Sequence, residues 1–280
     1  MSIITFTLIV LFGAFIAGLL GSLTGLGGGV IIIPMLTLIF HIDLRYAIGT
    51  SLISVIATSS GAAAAYVKEG ISNIRIGMFL EIATTIGAVL GAIVAVYTSS
   101  HLIAVIFGLV LLLSAALSFK KKDQMILTPA GASKMANFFK LNGSYPNEKG
   151  KKILYGVTKV IGGFSMMMVA GLVSGLLGIG SGALKVVAMD NFMKLPFKVS
   201  TTTSNFMIGV TAAASAGIYL ERGYIDPGLT MPVVLGVLAG AFVGSKILVN
   251  SGTKVLRIIF TSVIIFLAFQ MIYNGLTGNI

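Results

Sequence analysis

Cysteine and tryptophan are absent from the 280 residues. Without cysteine there is no disulfide framework, no thiol chemistry and no thiolate metal site. Charge is scarce as well: 10% of residues are charged, against about 25% in soluble domains. There are two histidines, His41 and His101, and both sit at the ends of apolar segments, where an interfacial place is expected. No HExxH zinc motif exists, and an intramembrane hydrolase would need a histidine at depth beside its nucleophile. Ser181, which lies between glycines, has none. The chain is therefore read as no enzyme, with no cofactor and no metal.

What is abundant is apolar: 56% of residues are hydrophobic, gathered in helix-length segments rather than the ~10-residue alternating stretches of a barrel. The expected class is an all-α integral membrane protein. The first segment lacks a basic leader region and a cleavage site, so it is expected to be a mature helix. Net charge is +11, but much of it is local. Between Lys120 and Lys159, nine lysines face Asp123 and Glu148, a net of +7. Such a run between membrane segments is the signal of a cytoplasmic loop. Nucleic-acid readout would call for arginines and exposed aromatics on a folded surface, and this run lacks them.

Glycine supplies the organisation. GSLTGLGGGV (21–30) and GLLGIGSG (175–182) lie in register at an offset of 153. At that offset Gly25, Gly27 and Gly29 match Gly178, Gly180 and Gly182, Thr50-Ser51 matches Thr203-Ser204, and Gly87 and Gly91 match Gly240 and Gly244. The register runs without a gap from about residue 18 to 118. Three parts follow: a first membrane repeat (1–118), a basic cytoplasmic linker (119–154) and a second membrane repeat (155–280).

Each repeat holds five apolar segments: about 3–20, 29–40, 46–67, 74–97 and 101–118, then 155–177, 182–193, 199–220, 229–249 and 255–273. The second of each is roughly 12 residues, or ~18 Å at 1.5 Å per residue, too short for a hydrocarbon core of ~30 Å. It is read as half of a helical hairpin whose glycine loop lies near mid-membrane. The expected fold has two inverted five-segment repeats with glycine-broken hairpins, about eight full spans plus two short half-helices, an architecture of secondary transporters. Five segments per repeat, an odd number, give the two repeats opposite orientations in the cell membrane; with the basic linker in the cytoplasm, both termini fall outside. Loop charges agree, except at Arg45.

Unpaired backbone groups at membrane depth are tolerated only when buried in protein or lining a cavity. A half-helix start turns its free N–H groups into that cavity. The loops are thus read as a small-anion site made by Gly25, Gly27, Gly28 and Gly29 with Gly178, Gly180, Ser181 and Gly182. Lys185, just past the second loop, faces an anion or snorkels to the cytoplasmic end of its helix. Thr50, Ser51, Thr203, Ser204 and Asn205 donate to substrate oxygens or hold the broken helix ends. Glu81, inside a helix, carries a coupling proton or pairs with a lysine. Gly87, Gly91, Gly240 and Gly244 are read as packing positions.

These paired elements, AIGTSL at 47–52 and GLLGIGSGALKV at 175–186 with KVSTTTSNFMIGVTA at 198–212, resemble the TauE/SafE family of sulfite exporters. The resemblance implies a permease, an exporter by family habit, for small organosulfur or sulfur oxyanions such as sulfite, sulfoacetate and other sulfonates, worked by alternating access. The alternatives are a passive anion channel and a permease for a small carboxylate. Its partners would be that anion and the lipid bilayer, with a homodimer as a further expectation. The first copy has Pro34 where the second has Val187. The linker is longer than the family pattern implies and is expected to form a small cap.

Overall fold

The computed structural model describes residues 3–24, 28–68, 71–119, 128–146, 152–250 and 253–280. Gly25 and Gly27 therefore lie outside the described residues. Helix α1 (Ile3–Thr24) is followed by the short α2 (Gly29–Pro34), which passes directly into a π-helical turn (Met35–Ile39). Helices α3 (Leu44–Lys68), α4 (Ile74–Tyr97) and α5 (Ser100–Phe119) complete the first half. The second half repeats the series: α7 (Val160–Leu177), α8 (Gly182–Val187) with a π-helical turn (Ala188–Phe192), α9 (Phe197–Glu221), α10 (Pro227–Asn250) and α11 (Thr253–Thr277). Even the turn closures correspond. Ile42 N–H donates to Leu36 O at 3.0 Å, and Leu195 N–H to Met189 O at 3.1 Å, both 153 positions apart. Pro34 does not cause the π turn, since Val187 precedes the same turn in the second half.

The halves pack crosswise. Helix α1 lies against α10 and α4 against α7, while α5 pairs with α11 and α3 with α9. Small residues make the crosswise contacts tight: a Cβ built on Gly175 would lie 1.9 Å from Ala88 O, and one on Gly240 2.0 Å from Phe15 O. Lipid tails are as apolar as leucine, so membrane helices associate through close packing, which glycine permits. Gly87 and Gly91 are in this class too, each with backbone oxygen of α7 at 2.1 Å from the position of a Cβ. Gly244 is buried in α10.

The outward faces carry Phe12, Met78, Ile82, Ile161, Leu235, Phe242 and Phe269, all exposed. An apolar belt of this extent is stable against lipid rather than water. Among the described residues, four helices are long and apolar enough to cross a membrane by length and composition: α1, α4, α7 and α10. Helices α3 and α9 have 25 residues each, long enough at ~1.5 Å per residue to cross. They carry serine and threonine, because their faces line the interior instead of meeting lipid. The chain is a multi-pass, all-α membrane protein.

Between the halves lie a 3₁₀ turn (Pro129–Gly131), helix α6 (Lys134–Phe138) and an antiparallel hairpin of β1 (Gly143–Pro146) and β2 (Lys152–Tyr155). The apolar segment expected from residue 155 therefore begins later, at Val160. Tyr155 closes the hairpin opposite Gly143, and Lys159, at φ 45°, turns the chain before the helix starts. Helix α6 has Ser133 as its cap, accepting from Ala136 N–H at 3.2 Å. Phe139 stacks on Phe79 of α4 at 5.0 Å, which fastens the linker to the first half.

Candidate functional site

The two broken helices meet between α3 and α9. A Cβ on Gly29 would stand 2.5 Å from Ser51 Oγ and 3.4 Å from Gly178 O, so the start of α2 touches the loop before α8. That second loop takes left-handed dihedrals at Gly178 (φ 68°), Gly180 (φ 72°) and Ser181 (φ 47°). Glycine adopts them freely, and serine does so at a cost.

The polar residues named from sequence fall around these loops, where most of them hold backbone. Ser51 Oγ donates to Gly178 O at 2.9 Å. Ser204 Oγ, its counterpart, donates to Gly182 O at 3.1 Å. Ser181 Oγ donates to Ala170 O at 2.5 Å. Thr50 and Thr230 share a hydroxyl contact of 3.2 Å. Thr203 Oγ1 accepts from Asn73 N–H at 3.0 Å. Gly28 and Asn205 are buried beside them. Of the two sequence-level readings for these hydroxyls, the holding of broken helix ends describes Ser51, whose acceptor Gly178 O lies just past the end of α7 and needs such a donor. Ser181 and Ser204 donate instead to carbonyls within α7 and at the first residue of α8, which ties the loop and α9 to those helices.

Lys185 behaves differently. Its side chain is 0% exposed, so it does not snorkel. Its Nζ donates to Thr211 Oγ1 at 2.5 Å. Thr211 Oγ1 in turn lies 2.6 Å from Glu81 Oε1 and 2.9 Å from Met207 O. Glu81 is 8% exposed, and its Oε2 is buried without a hydrogen-bond partner among the described residues. Thr85 Oγ1 reaches Oε1 at a long 3.4 Å. Thus three helices, α4, α8 and α9, bring one ammonium and one carboxylate to the same threonine. Burying an isolated ammonium is expensive, and a hydrogen-bonded carboxylate nearby offsets it. Glu81 and Lys185, noted separately in sequence, are brought together here.

Thr211 is the member that sequence reasoning missed. Its signal was spacing: it lies seven residues after Ser204, two helical turns along the same face. Asn73 was missed too. Its Nδ2 donates to Tyr155 Oη at 2.7 Å and to Leu141 O at 3.2 Å, so the residue whose N–H meets Thr203 also anchors the linker. Burial pushes the Tyr155 phenol up to about 12, with the Asn73 hydrogen bond acting against the shift. No signal in the sequence could have joined positions so far apart along the chain.

The chain matches the family described as sulfite exporter TauE/SafE over residues 10–271. Among its relatives, the probable membrane transporter protein YunE of Bacillus subtilis is 30% identical over 280 residues, covering 97% of this chain and 99% of that one. YdhB of the same organism, also a probable membrane transporter, is 27% identical over 83% of this chain and 86% of its own. A probable membrane transporter of Methanocaldococcus jannaschii is 24% identical over 89% of each chain. No solved structure matches.

Proposed function

The chain belongs to the TauE/SafE sulfite exporter family, and on that premise we propose that it is a secondary transporter exporting small organosulfur or sulfur oxyanions such as sulfite, sulfoacetate or other sulfonates. The observation that carries the reading is Lys185: one fully buried ammonium, at the first turn after a glycine break, between the two halves of the molecule. Ionisable groups at membrane depth mark substrate or ion pathways by default. Gly28, Gly29 and the loop Gly178–Gly182, with Thr50, Ser51, Thr203, Ser204 and Asn205, form the wall of that site.

The corresponding elements of the two halves and their crosswise packing support an inverted repeat with glycine-broken hairpins. In such a fold the halves rock around a central site to give alternating access. The linker then faces the cytoplasm of a cell-membrane protein, with both termini outside. Cysteines placed at Ser2 and Asn279 are expected to react with an impermeant reagent from outside, and one at Ser144 only after lysis. Labelling of Ser144 in intact cells overturns the topology.

The test of function is binding and flux with purified protein. Sulfite, sulfate, sulfoacetate, taurine and simple carboxylates are screened against wild type and Lys185→Ala. Binding of a sulfur oxyanion that is lost in Lys185→Ala while the variant stays monodisperse is the expected result. Undiminished binding in Lys185→Ala overturns the assignment of the site. In proteoliposomes, flux that never concentrates the anion marks a channel instead.

A further inference from the structure

We propose that Glu81 is the proton-carrying member of the anion site: with no substrate bound its carboxylate neutralises Lys185 through Thr211, and it takes up a proton when an anion takes its place, so one proton and one anion occupy the site together. The proposal rests on the reading of Lys185 as the anion-binding group.

The hydroxyl of Thr211 is the hinge of the scheme. It accepts from Lys185 Nζ and has a single proton to give, with two acceptors in reach, Glu81 Oε1 at 2.6 Å and Met207 O at 2.9 Å. A carboxylate at Glu81 takes that proton's hydrogen bond, since charge-assisted bonds are the stronger ones. A neutral carboxylic acid releases it, and the hydroxyl turns to the Met207 carbonyl. The new O–H bond forms on Oε2, the oxygen without a partner among the described residues. The proton comes from solvent, and the acid then becomes a donor. Lys185 and protonated Glu81 thereby present two donors to one anion.

Charge balance requires the exchange. Lys185 and ionised Glu81 sum to zero; a bound monoanion makes the buried site −1, and one proton restores neutrality. At a separation of ~6 Å and an effective dielectric of ~20, two like charges repel enough to weaken binding about a hundredfold. Among the described residues, the other charged groups of these elements stand away from the pair. Helix α7, packed on α4, has no ionisable residue between Val160 and Leu177. On α4 itself, Arg75 is six residues before Glu81 and donates to Lys140 O at 3.0 Å. On α9, Lys198 is exposed near one end, while Tyr219 and Glu221 lie toward the other. Asp190 is on the π turn five positions beyond Lys185 and Lys159 caps α7.

The repeat supplies an internal control. At the offset of 153, Lys185 corresponds to Ile32, Glu81 to Val234 and Thr211 to Thr58. Ile32 is fully buried. The corresponding positions of the other half thus carry aliphatic side chains, Ile32 buried and Val234 half-buried, in place of the ammonium and the carboxylate. A buried ion pair is no better for stability than such a replacement. The fold does not need the pair, so its presence on one side only points to use rather than support.

The probe is methanesulfonate, which stays monoanionic throughout pH 5–9, with sulfate as a dianionic comparison; both are measured by equilibrium binding to the full chain in detergent. Wild-type affinity for methanesulfonate is expected to weaken with rising pH, approaching tenfold per unit, because one proton is taken up with the anion. Glu81→Gln, which mimics the protonated acid, should bind with less than about twofold change between pH 6 and 8, while Glu81→Asp keeps the slope and shows that the position tolerates change. Wild-type binding that is flat with pH, or a Glu81→Gln slope equal to wild type, overturns the proposal and leaves the anion site standing. Undiminished binding in Lys185→Ala, or wild type that binds neither probe, overturns the anion site itself.

Discussion

Replacing Gly175 by alanine tests whether the crosswise packing of the halves holds this molecule together. The added Cβ would stand 1.9 Å from Ala88 O and 2.8 Å from Ala92 N, whereas ordinary contact begins near 3.4 Å. The obstacle is helical backbone on both sides, so no side chain can swing away. Helices α4 and α7 must separate by ~1.5 Å at that point, and a gap of 0.5–1 Å already forfeits a quarter to a half of each dispersion contact. Overpacking of this kind costs about 1–3 kcal/mol, and the loss of contacts along the pair places Gly175→Ala at the upper end. Alanine's better helix propensity returns up to ~1 kcal/mol, so the net loss is about 2 kcal/mol. Gly217→Ala is the control. Nothing lies within 4 Å of its Cβ position on α9, so only the propensity gain remains. Thermal unfolding in one detergent, followed by intrinsic tyrosine fluorescence, should show Gly175→Ala lower by roughly 4–8 °C. Gly217→Ala should match or exceed wild type. Equal melting temperatures for the two variants would refute the reasoning, because sequence context alone treats both as glycines inside helices.

Lys185→Met should lower stability, since it leaves the Glu81 carboxylate buried without its counter-charge; adding Glu81→Gln should recover most of the loss, and a double variant no more stable than the single one denies the coupling through Thr211. Ser51→Ala strips Gly178 O of its donor and is expected to cost about 1–3 kcal/mol, read as a fall in melting temperature, whereas Ser60→Ala on the same helix, whose hydroxyl is exposed, should change it by less than about 0.5 kcal/mol. The raised phenol of Tyr155 favours the protonated native state, so its contribution is complete below pH 10 and is lost as pH climbs toward 12. Tyr155→Phe should remove that alkaline loss from the stability profile; an unchanged profile shows that the linker is not held by this phenol.

The sequence by itself determined the class and the plan. Scarce charge and helix-length apolar runs leave lipid as the only solvent that suits the outer surface, and a register held at 153 residues lines up the elements of the second half with those of the first. The starts of α2 and α8 were legible because glycine runs interrupt helices wherever they occur, and the offset told which helices correspond. What the sequence could not settle was where each polar side chain turns. Ser51 and Ser204 are close to both a ligand and a free carbonyl in any drawing of the motif, and only the packed backbone shows that each has a carbonyl within reach. The linker hairpin was hidden because its pairing depends on Tyr155 meeting Gly143 and Asn73, contacts between residues distant along the chain. The meeting of Lys185 with Glu81 through Thr211 is the clearest case. These residues are on three helices, the offset pairs them with Ile32, Val234 and Thr58, and no local pattern joins them. Their proximity follows from the crosswise docking of the two halves, a property of backbone approach at glycine rather than of the residues that meet.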